Sequence, residues 1–240
     1  MNKISAIWGK EFRSFWYSPV AYIVINVFLV VMTWFFFKQL YLSKDANLTA
    51  FFRSMPMAFM FLMPALTMRQ WAEERKTGTL EMLMTLPVRE WEVVLGKYFS
   101  VLSLLATILL LTLPTTISVA LLSQNGLDWG VVLTTYLGTF LFGAVVLAMG
   151  GWVSSFTENQ IVAFILGLAL AFVAILIGSP VITTGIPGFL APFVTYLGLD
   201  NHYGGISRGV IDTRDLIYFA TLIFLFLYLT VRSVESRKWS

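Results

Sequence analysis

The sequence predicts an all-α integral membrane protein with six membrane-spanning helices. Hydrophobic residues make up 58% of the 240 residues and charged residues only 12%, which is about half of the charged fraction in soluble domains. The apolar residues are gathered into runs of about 20, the length that a helix needs to cross the hydrocarbon core of a bilayer. The sequence contains no cysteine, so disulfides and thiolate metal sites are excluded.

Six apolar segments qualify as membrane spans. Arg53 and two prolines interrupt the second one, but a spanning helix tolerates proline where neighbours satisfy the freed carbonyl, and arginine can extend its head group to the interface. The fifth and sixth segments are short, and we expect them to extend by a turn. The predicted spans are residues 19–37, 51–68, 99–122, 131–153, 161–178 and 216–231.

The distribution of lysine and arginine predicts the orientation. Eleven of the 16 basic residues lie in the N-terminal segment, in the loop between the second and third spans, and in the C-terminal segment. Cytoplasmic loops are enriched in these residues, so we expect both termini and the loop 69–97 in the cytoplasm. Because the basic residues form no cluster on a soluble face, the expected contact is with the lipid bilayer and not with nucleic acid.

Residues 1–18 are predicted to form an amphipathic helix that precedes a single transmembrane domain, residues 19–240. Ile4, Trp8 and Phe12 follow helical spacing, while Arg13 and two lysines fall on the opposite side. Such a helix lies in the plane of the membrane interface, with its cations toward water. Two interpretations stay open here: a helix that contacts a partner, and a positively charged anchor beside the first span.

The loop 69–97 holds ten of the charged residues. We expect the second span to continue out of the bilayer as a helix until Gly78, which breaks it. Thr79 is a candidate N-cap for a new short helix. A push on this helix would reach the spans on both sides of the loop.

The predicted short helix has one apolar face. Leu80, Leu83 and Met84 share that face, and Glu81 lies off it. Pro87 ends the helix, because the residue before a proline avoids the α region. A solvated loop without a specific role is the alternative, but such a loop seldom combines a glycine break, an apolar turn and a proline stop.

The run from Glu74 to Arg89, followed by Leu95-Gly96-Lys97, resembles the cytoplasmic loop of ABC-2-type transporter permeases. That family has an acidic/basic pair, Gly-Thr-(Leu/Ile)-Glu, an aliphatic stretch, Ser/Leu-Pro and then Leu-Gly-Lys. The resemblance implies that the short helix is a coupling helix that docks on an ATP-binding subunit, and that residues 1–18 are the connecting helix. The implied coupling residues are Glu74, Gly78, Thr79, Leu80, Glu81, Leu83, Met84, Leu86 and Pro87; the connecting-helix residues are Ile4, Trp8, Phe12 and Arg13.

A second match narrows the resemblance. Residues 199–203, 206–219 and 235–239 are similar to the gliding-motility-type (GldF-like) branch of these permeases. The branch name does not require gliding in this protein.

The segment 179–214 between the fifth and sixth predicted spans is rich in proline and glycine, which excludes one long helix. Residues 186–199 are nevertheless too apolar for an ordinary loop. A re-entrant or interfacial hairpin fits this pattern, as does a hydrophobic cap on the helix ends. The resemblance implies an element beneath an external gate. The candidate gate or partner-binding residues are Phe189, Phe193, Tyr196, His202 and Arg208.

Catalytic motifs are missing from the sequence. Gly96-Lys97 is not part of a phosphate-binding loop, because Trp91 occupies the position where that motif needs glycine. His202 is the single histidine, so a histidine-based metal site is not expected. We therefore predict a non-catalytic subunit without a cofactor of its own, with ATP and Mg²⁺ bound by its partner.

Together these observations predict the membrane subunit of an ABC exporter in a bacterial inner membrane, with the ABC-2, or type V, architecture. Two permeases, identical or related, would pair and dock two ATP-binding subunits. The alternative is a mechanical or scaffolding subunit that acts on an extracytoplasmic protein through the residues of segment 179–214. An apolar pathway is compatible with lipids, hydrophobic drugs, peptides or a protein segment as the substrate.

Overall fold

The computed structural model describes residues 3–43, 48–81, 88–122 and 127–236. All regular secondary structure in these ranges is helical. The helices are α1 (Lys3–Tyr17), α2 (Pro19–Ser43), α3 (Thr49–Thr67), α4 (Arg69–Lys76), α5 (Glu90–Leu111), α6 (Leu113–Leu122), α7 (Trp129–Ser154), α8 (Gln160–Leu176), α9 (Pro180–Thr183), α10 (Ala191–Leu197), α11 (Leu199–Ile206) and α12 (Thr213–Glu235).

Five helical stretches within the described ranges are long and apolar enough to cross a membrane. They correspond to the first four predicted spans and the sixth. The stretches are Ala21–Leu42, Thr49–Lys76, Glu90–Leu122, Trp129–Ser154 and Thr213–Glu235. The fifth predicted span corresponds to α8, which is apolar but has only 17 residues. The protein is therefore a multi-pass membrane protein, and the count of six spans stays a prediction.

The helices form a bundle with two distinct ends. At one end, which we call the near end, Ser154 at the end of α7 donates a hydrogen bond to the carbonyl of Met68, where α3 meets α4 (3.1 Å). At the opposite end, the far end, Tyr203 of α11 donates to the carbonyl of Phe52 at the start of α3 (2.9 Å). Asn201, also on α11, donates to the carbonyl of Gly178 just beyond α8 (3.0 Å). Helix α8 thus carries the chain from the near end to the far end.

Helices α3 and α7 form the centre of the bundle, and α3 also packs on α2 and α8. Their shared core contains fully buried methionine and phenylalanine side chains, such as Met55, Phe59 and Phe142. At Gly143 of α7, an added Cβ would lie 2.8 Å from Leu105 Cδ2 and 3.0 Å from Phe59 Cε2. Small residues let helices approach closely in a bilayer, where apolar burial against lipid gains little and van der Waals packing contributes to helix association.

The third membrane-crossing stretch is interrupted at Thr112, between α5 and α6. Pro114 follows this residue and lacks the N–H that a continuous helix requires. The break is stabilised from α7, where the hydroxyl of Tyr136 lies 3.0 Å from Thr112 Oγ1 and 2.7 Å from Thr116 Oγ1. The sequence analysis predicted one span over residues 99–122 and did not predict this break.

The segment 179–214 folds as three short helices, α9 to α11. Helix α11 packs against α7, where an added Cβ on Gly138 would lie 2.7 Å from Ile206 Cγ2. This part of the segment therefore packs against α3 and α7 at the far end. Helices α9 and α10 contain no buried residue, and their predicted re-entrant position in a bilayer stays a prediction.

Candidate functional site

The near end is organised around Lys97 of α5, whose side chain is only 2% exposed. Its Nζ donates to Glu74 Oε1 of α4 (2.7 Å), to the Gln70 carbonyl of α4 (3.1 Å) and to Glu11 Oε1 of α1 (3.2 Å). The same ammonium lies 5.1 Å from the centre of the Trp71 ring, in the range of a cation–π interaction. We call these five residues the Lys97 cluster. It joins three helices through one buried charge.

The carboxylate of Glu74 is only partly satisfied. Its Oε1 accepts from Lys97, but its Oε2 is buried and has no hydrogen-bond partner. A cleft of about 340 Å³ lies beside it, lined by Lys10, Arg69, Glu73 and other polar residues. Arg69 closes one side of this cleft by donating from Nε to Glu73 Oε2 (2.9 Å) and from Nη1 to Ser18 Oγ (2.9 Å).

Helix α4 is held at its start by α7. The first N–H groups of a helix have no partner within the helix. Here Ser154 Oγ accepts from the backbone N–H of Trp71 (3.2 Å) and of Ala72 (3.3 Å). Trp71 and Ala72 are fully buried. The position of α4 is therefore fixed by a side chain that lies more than 80 positions later in the sequence.

Gly96 explains how α1 comes close to α5. An added Cβ at this position would lie 2.8 Å from both Cβ and Cγ2 of Ile7 and 3.3 Å from the Ile4 carbonyl oxygen. Such distances leave no room for a side chain. On the same helix pair, Trp8 Nε1 donates to Ser103 Oγ (2.9 Å).

The remaining predicted connecting-helix residues lie on the outer part of α1. Phe12 stacks on Trp8 with ring centres 6.1 Å apart and meets Trp16 edge-on at the same distance. Arg13 is exposed. The apolar side of α1 is thus shared between α5 and an aromatic row at the surface.

Helix α4 ends at a left-handed glycine. Gly78 has φ +70°, a conformation that costs other residues free energy because of their Cβ. The N–H of Gly78 donates to the Arg75 carbonyl (3.2 Å), and the N–H of Thr77 donates to the Glu73 carbonyl (3.0 Å). Helical backbone resumes at Thr79, whose Oγ1 lies 2.9 Å from Thr77 Oγ1.

The turn at residues 79–81 has a buried and an exposed side. Leu80 is 8% exposed, whereas Glu81 is exposed. Leu80 belongs to a group of buried apolar residues that we call the near-end apolar cluster. Its members are Trp71 of α4, Leu80, Val93 and Val94 of α5, and Val234 of α12. Leu83, Met84, Leu86 and Pro87 lie outside the described residues.

The chain re-enters the bundle at Arg89. The backbone N–H of Arg89 donates to Glu92 Oε2 (2.8 Å), and the Arg89 carbonyl accepts from the N–H of Glu92 (2.9 Å). This carboxylate near the start of α5 is also favourable for the helix dipole. Helix α12 is joined to the same end by Ser155 Oγ, which donates to Ser233 Oγ (2.8 Å).

The predicted gate or partner-binding residues lie at the far end. Phe189 and Phe193 are 73% and 71% exposed, and each lies in or beside α10. Arg208 is exposed, and its Nε donates to the Gly204 carbonyl (3.0 Å). Tyr196 and His202 differ from these three, because their rings meet edge to face with centres 4.9 Å apart.

His202 is buried and joins α10, α11 and α12. Its Nδ1 lies 2.6 Å from Asp215 Oδ1, and its Nε2 lies 2.8 Å from the Tyr196 carbonyl oxygen. The imidazole stacks on Tyr218 with ring centres 3.8 Å apart. The hydroxyl of Tyr218 donates to the Leu197 carbonyl (2.7 Å). This arrangement ties the ends of three helices together and contains no second histidine.

Several of these residues were not among the predicted site residues. The sequence placed Lys97 in the Leu-Gly-Lys pattern and excluded it from a phosphate-binding loop, but it did not predict that Lys97 or Trp71 would be buried. Glu11 and Ser154 gave no local signal, because their partners are distant in the sequence. The Leu-Gly-Lys pattern itself was the available clue, since it places a glycine beside a lysine where an apolar helix begins.

No curated protein matches this sequence. A family model described as "ABC-2 family transporter protein" matches residues 5–234, a range that includes the Lys97 cluster, the three short helices at the far end and the described membrane-crossing stretches except for the last residue of α12. The chain therefore belongs to the ABC-2 family of transporter proteins.

Proposed function

We propose that the chain is the permease subunit of an ABC transporter, and that a separate ATP-binding subunit drives it through the loop 69–97. Membership of the ABC-2 family supports the first part, because permeases of this family are generally non-catalytic and associate with an ATP-binding subunit. The observation that carries the second part is the buried Lys97 at the end of that loop, which joins α1, α4 and α5.

A displacement of the turn at residues 79–81 has a direct path into the bundle. Leu80 packs in the near-end apolar cluster with Trp71 of α4 and Val93 of α5. A tightly packed interior transmits such a displacement and does not absorb it. Since α4 follows α3 after a single residue and α5 contains the third membrane-crossing stretch, two spans would move together. Lys97 would carry the same displacement to α1.

The contact with the ATP-binding subunit is expected within residues 80–87. Leu80 faces the bundle and Glu81 faces solvent, so the two sides of the turn have different roles. Leu83 and Met84, outside the described residues, stay the predicted apolar contact. ATP and Mg²⁺ would be bound by the partner, since the sequence has no phosphate-binding loop.

The proposed assembly contains two permeases and two ATP-binding subunits, with the near end in the cytoplasm of a bacterial cell. Helix α8 is proposed as the remaining span, the fifth along the chain, because it runs from the near end to the far end. Its 17 residues give a length of about 26 Å, slightly less than a typical hydrocarbon core.

Co-expression with a cognate ATP-binding subunit tests this proposal. Leu83→Glu with Met84→Glu should abolish co-purification of the subunit, or abolish stimulation of its ATPase activity, because a charged pair would replace the apolar contact. Size-exclusion chromatography and thermal unfolding of the isolated permease should be unchanged. A complex that forms and hydrolyses ATP normally would show that the coupling assignment is wrong.

Two further variants separate the possible reasons for such a loss. Lys76→Glu changes the net charge by the same amount but leaves the apolar residues intact, and it should retain the complex. Glu81→Lys alters the exposed side of the turn and should weaken association less than the double variant does. If Lys76→Glu acts as strongly as the double variant, general electrostatics and not the apolar turn controls docking.

A mechanical function is the second candidate. The exposed aromatic side chains of Phe189 and Phe193 favour it, because such side chains suit a protein or lipid contact at the far end. The resemblance of the chain to the gliding-motility-type permeases also favours a mechanical function. Replacing both with serine should abolish capture of an extracytoplasmic protein but leave solute export in proteoliposomes unchanged. Loss of export with unchanged capture would favour the transport function.

A further inference from the structure

The far end contains a cleft of about 620 Å³ between α3, α7 and α11. One part of its wall is apolar and another part is charged. The apolar residues include Leu48, Phe52, Val131 and Val132; the charged ones are Arg53, Asp128, Asp200 and Arg208. Neither the coupling of ATP hydrolysis nor the aromatic surface of α10 uses this cleft.

Two guanidinium groups line the cleft, and each has N–H donors that bind no other described residue. Arg53 lies in the second turn of α3, directly after the buried Phe51 and Phe52. It donates no hydrogen bond to another described residue. Arg208 uses Nε for the Gly204 carbonyl, and its two terminal nitrogens have no partner in the described structure. Each arginine offers five N–H donors in a planar fork, a geometry that suits phosphate oxygens.

The two carboxylates of the cleft differ in whether another residue already binds them. Asp128 caps α7, where its Oδ1 accepts from the N–H of Gly130 (2.9 Å) and of Val131 (3.3 Å). Asp200 accepts no hydrogen bond from a described residue. Although its side chain reaches solvent in the cleft, the surrounding protein removes enough water to raise the pKa of its carboxyl, and Arg53 lowers that pKa in part. Arg53 and Asp200 are therefore close, yet no salt bridge between them is formed.

Within the described residues, Arg53 and Asp200 both line the cleft and form no salt bridge with each other, so their charges suit a ligand that carries both an anion and a cation. The depth of Arg53 along α3 agrees with the position of a lipid head group in a bilayer. Arg53 is four residues into α3, which places it roughly 6 Å below the helix start, and the polar region of each leaflet is about 5–8 Å thick. The apolar wall around Phe52 and Val131 is next to it, where an acyl chain would leave the head group.

We propose that this cleft binds one phospholipid with a primary-ammonium head group, of the phosphatidylethanolamine class. The phosphate accepts hydrogen bonds from Arg53 and Arg208, and the ammonium donates to Asp200. A choline head group has no N–H to donate and would lose the second contact. A phosphatidylglycerol head group has no cation and would leave Asp200 unpaired beside its own negative charge.

Native mass spectrometry of the detergent-purified chain tests the proposal. The probes, each added separately, are phosphatidylethanolamine, phosphatidylcholine, phosphatidylglycerol, glycerophosphoethanolamine and inorganic phosphate. We expect phosphatidylethanolamine to bind at least tenfold more tightly than the other four. Arg53→Gln with Arg208→Gln should remove that binding, and Asp200→Asn should reduce phosphatidylethanolamine to the level of phosphatidylcholine. Arg214→Gln, an exposed arginine outside the cleft, is the matched control and should leave all affinities unchanged.

A second measurement does not depend on the stability of charge variants. The chain has no cysteine, so Ser207→Cys places a single thiol in the cleft, and Val210→Cys places one at the exposed surface nearby. Phosphatidylethanolamine should slow maleimide labelling of the first thiol and not of the second. Equal protection by phosphatidylcholine overturns the role of Asp200. Binding of inorganic phosphate or glycerophosphoethanolamine as tight as that of the lipid overturns the proposal of a lipid site.

Discussion

Replacing Lys97 with methionine removes the charge at the centre of the near end. Methionine is close to lysine in length and is uncharged, so it fills most of the space without leaving a large cavity. Glu74 Oε1 and the Gln70 carbonyl would each lose a donor at 2.7 and 3.1 Å. Glu74 Oε2 already lacks a partner, and its carboxylate would then have no compensation on either oxygen.

The expected loss in the free energy of unfolding is about 3 kcal/mol. Removing one partner of a buried ion pair costs about 3–5 kcal/mol, because the other charge stays buried. We take the lower end, since the side chains of Glu74 and Glu11 retain 21% and 22% exposure. For a chain of this length, 1 kcal/mol shifts the melting temperature by about 2–4 °C. The expected decrease is therefore about 6–12 °C.

Thermal unfolding of the purified chain, followed by tryptophan fluorescence in one detergent, measures this decrease. Trp71, one of eight tryptophans in the sequence, lies 5.1 Å from the Lys97 ammonium and contributes to this signal. Lys38→Met, at an exposed lysine of α2, controls for loss of a positive charge elsewhere and should change the melting temperature little. Glu74→Gln combined with Lys97→Met should be more stable than Lys97→Met alone, because it removes the uncompensated charge.

Two results would refute this reasoning. A melting temperature for Lys97→Met within about 1 °C of the wild type would mean that the buried charge is not paired as the structure places it. A double variant no more stable than the single one would mean that Glu74 is not the main partner. Either result would also remove the main structural support for transmission from the loop to α1.

Three further changes test the packing around the two ends. Gly96→Ala should lower the free energy of unfolding by about 1–3 kcal/mol, because its Cβ would overlap Ile7 on α1. Gly9→Ala, where the added Cβ meets open space, is the control. Equal effects of the two variants on the melting temperature would disprove the close approach of α1 and α5. Gly78→Ala should cost about 1–2 kcal/mol from its left-handed backbone alone, and a melting temperature equal to that of the wild type would contradict this. His202→Phe keeps an aromatic ring but removes the contacts of the imidazole with Asp215 Oδ1 and the Tyr196 carbonyl. A loss of about 1–2 kcal/mol is therefore expected in a denaturant titration, and no loss would show that these contacts do not stabilise the fold.

The membrane-crossing helices were predictable because the signal for them is local. Apolar runs of sufficient length coincide with five long helices in the described structure. The break at Thr112 was not predicted, although Pro114 was visible in the sequence. A proline in a spanning helix is compatible with either a continuous or an interrupted helix, and Tyr136 on another helix decides between them here.

The Lys97 cluster could not be predicted for a different reason. Its partner Glu11 is 86 positions away along the chain, and a loop charge gives no sign of whether it is buried. Helical periodicity shows which residues share a face, but it does not show which helix covers that face. The same holds for Leu80, which shares the predicted apolar face of the loop and is buried in a cluster with residues of α4, α5 and α12.

Because Val234 belongs to the near-end apolar cluster, this cluster can be completed only late in the synthesis of the chain. Val234 belongs to α12, which follows all the other helices in the sequence, whereas Trp71 and Leu80 are made much earlier. At about 5–20 residues per second, synthesis from Leu80 to Val234 takes roughly 8–30 s. During that interval the near-end apolar cluster, which contains Leu80, lacks its last member. The surface that would receive an ATP-binding subunit is then completed only when the last helix has been inserted, so complexes should form on finished chains and not on nascent ones.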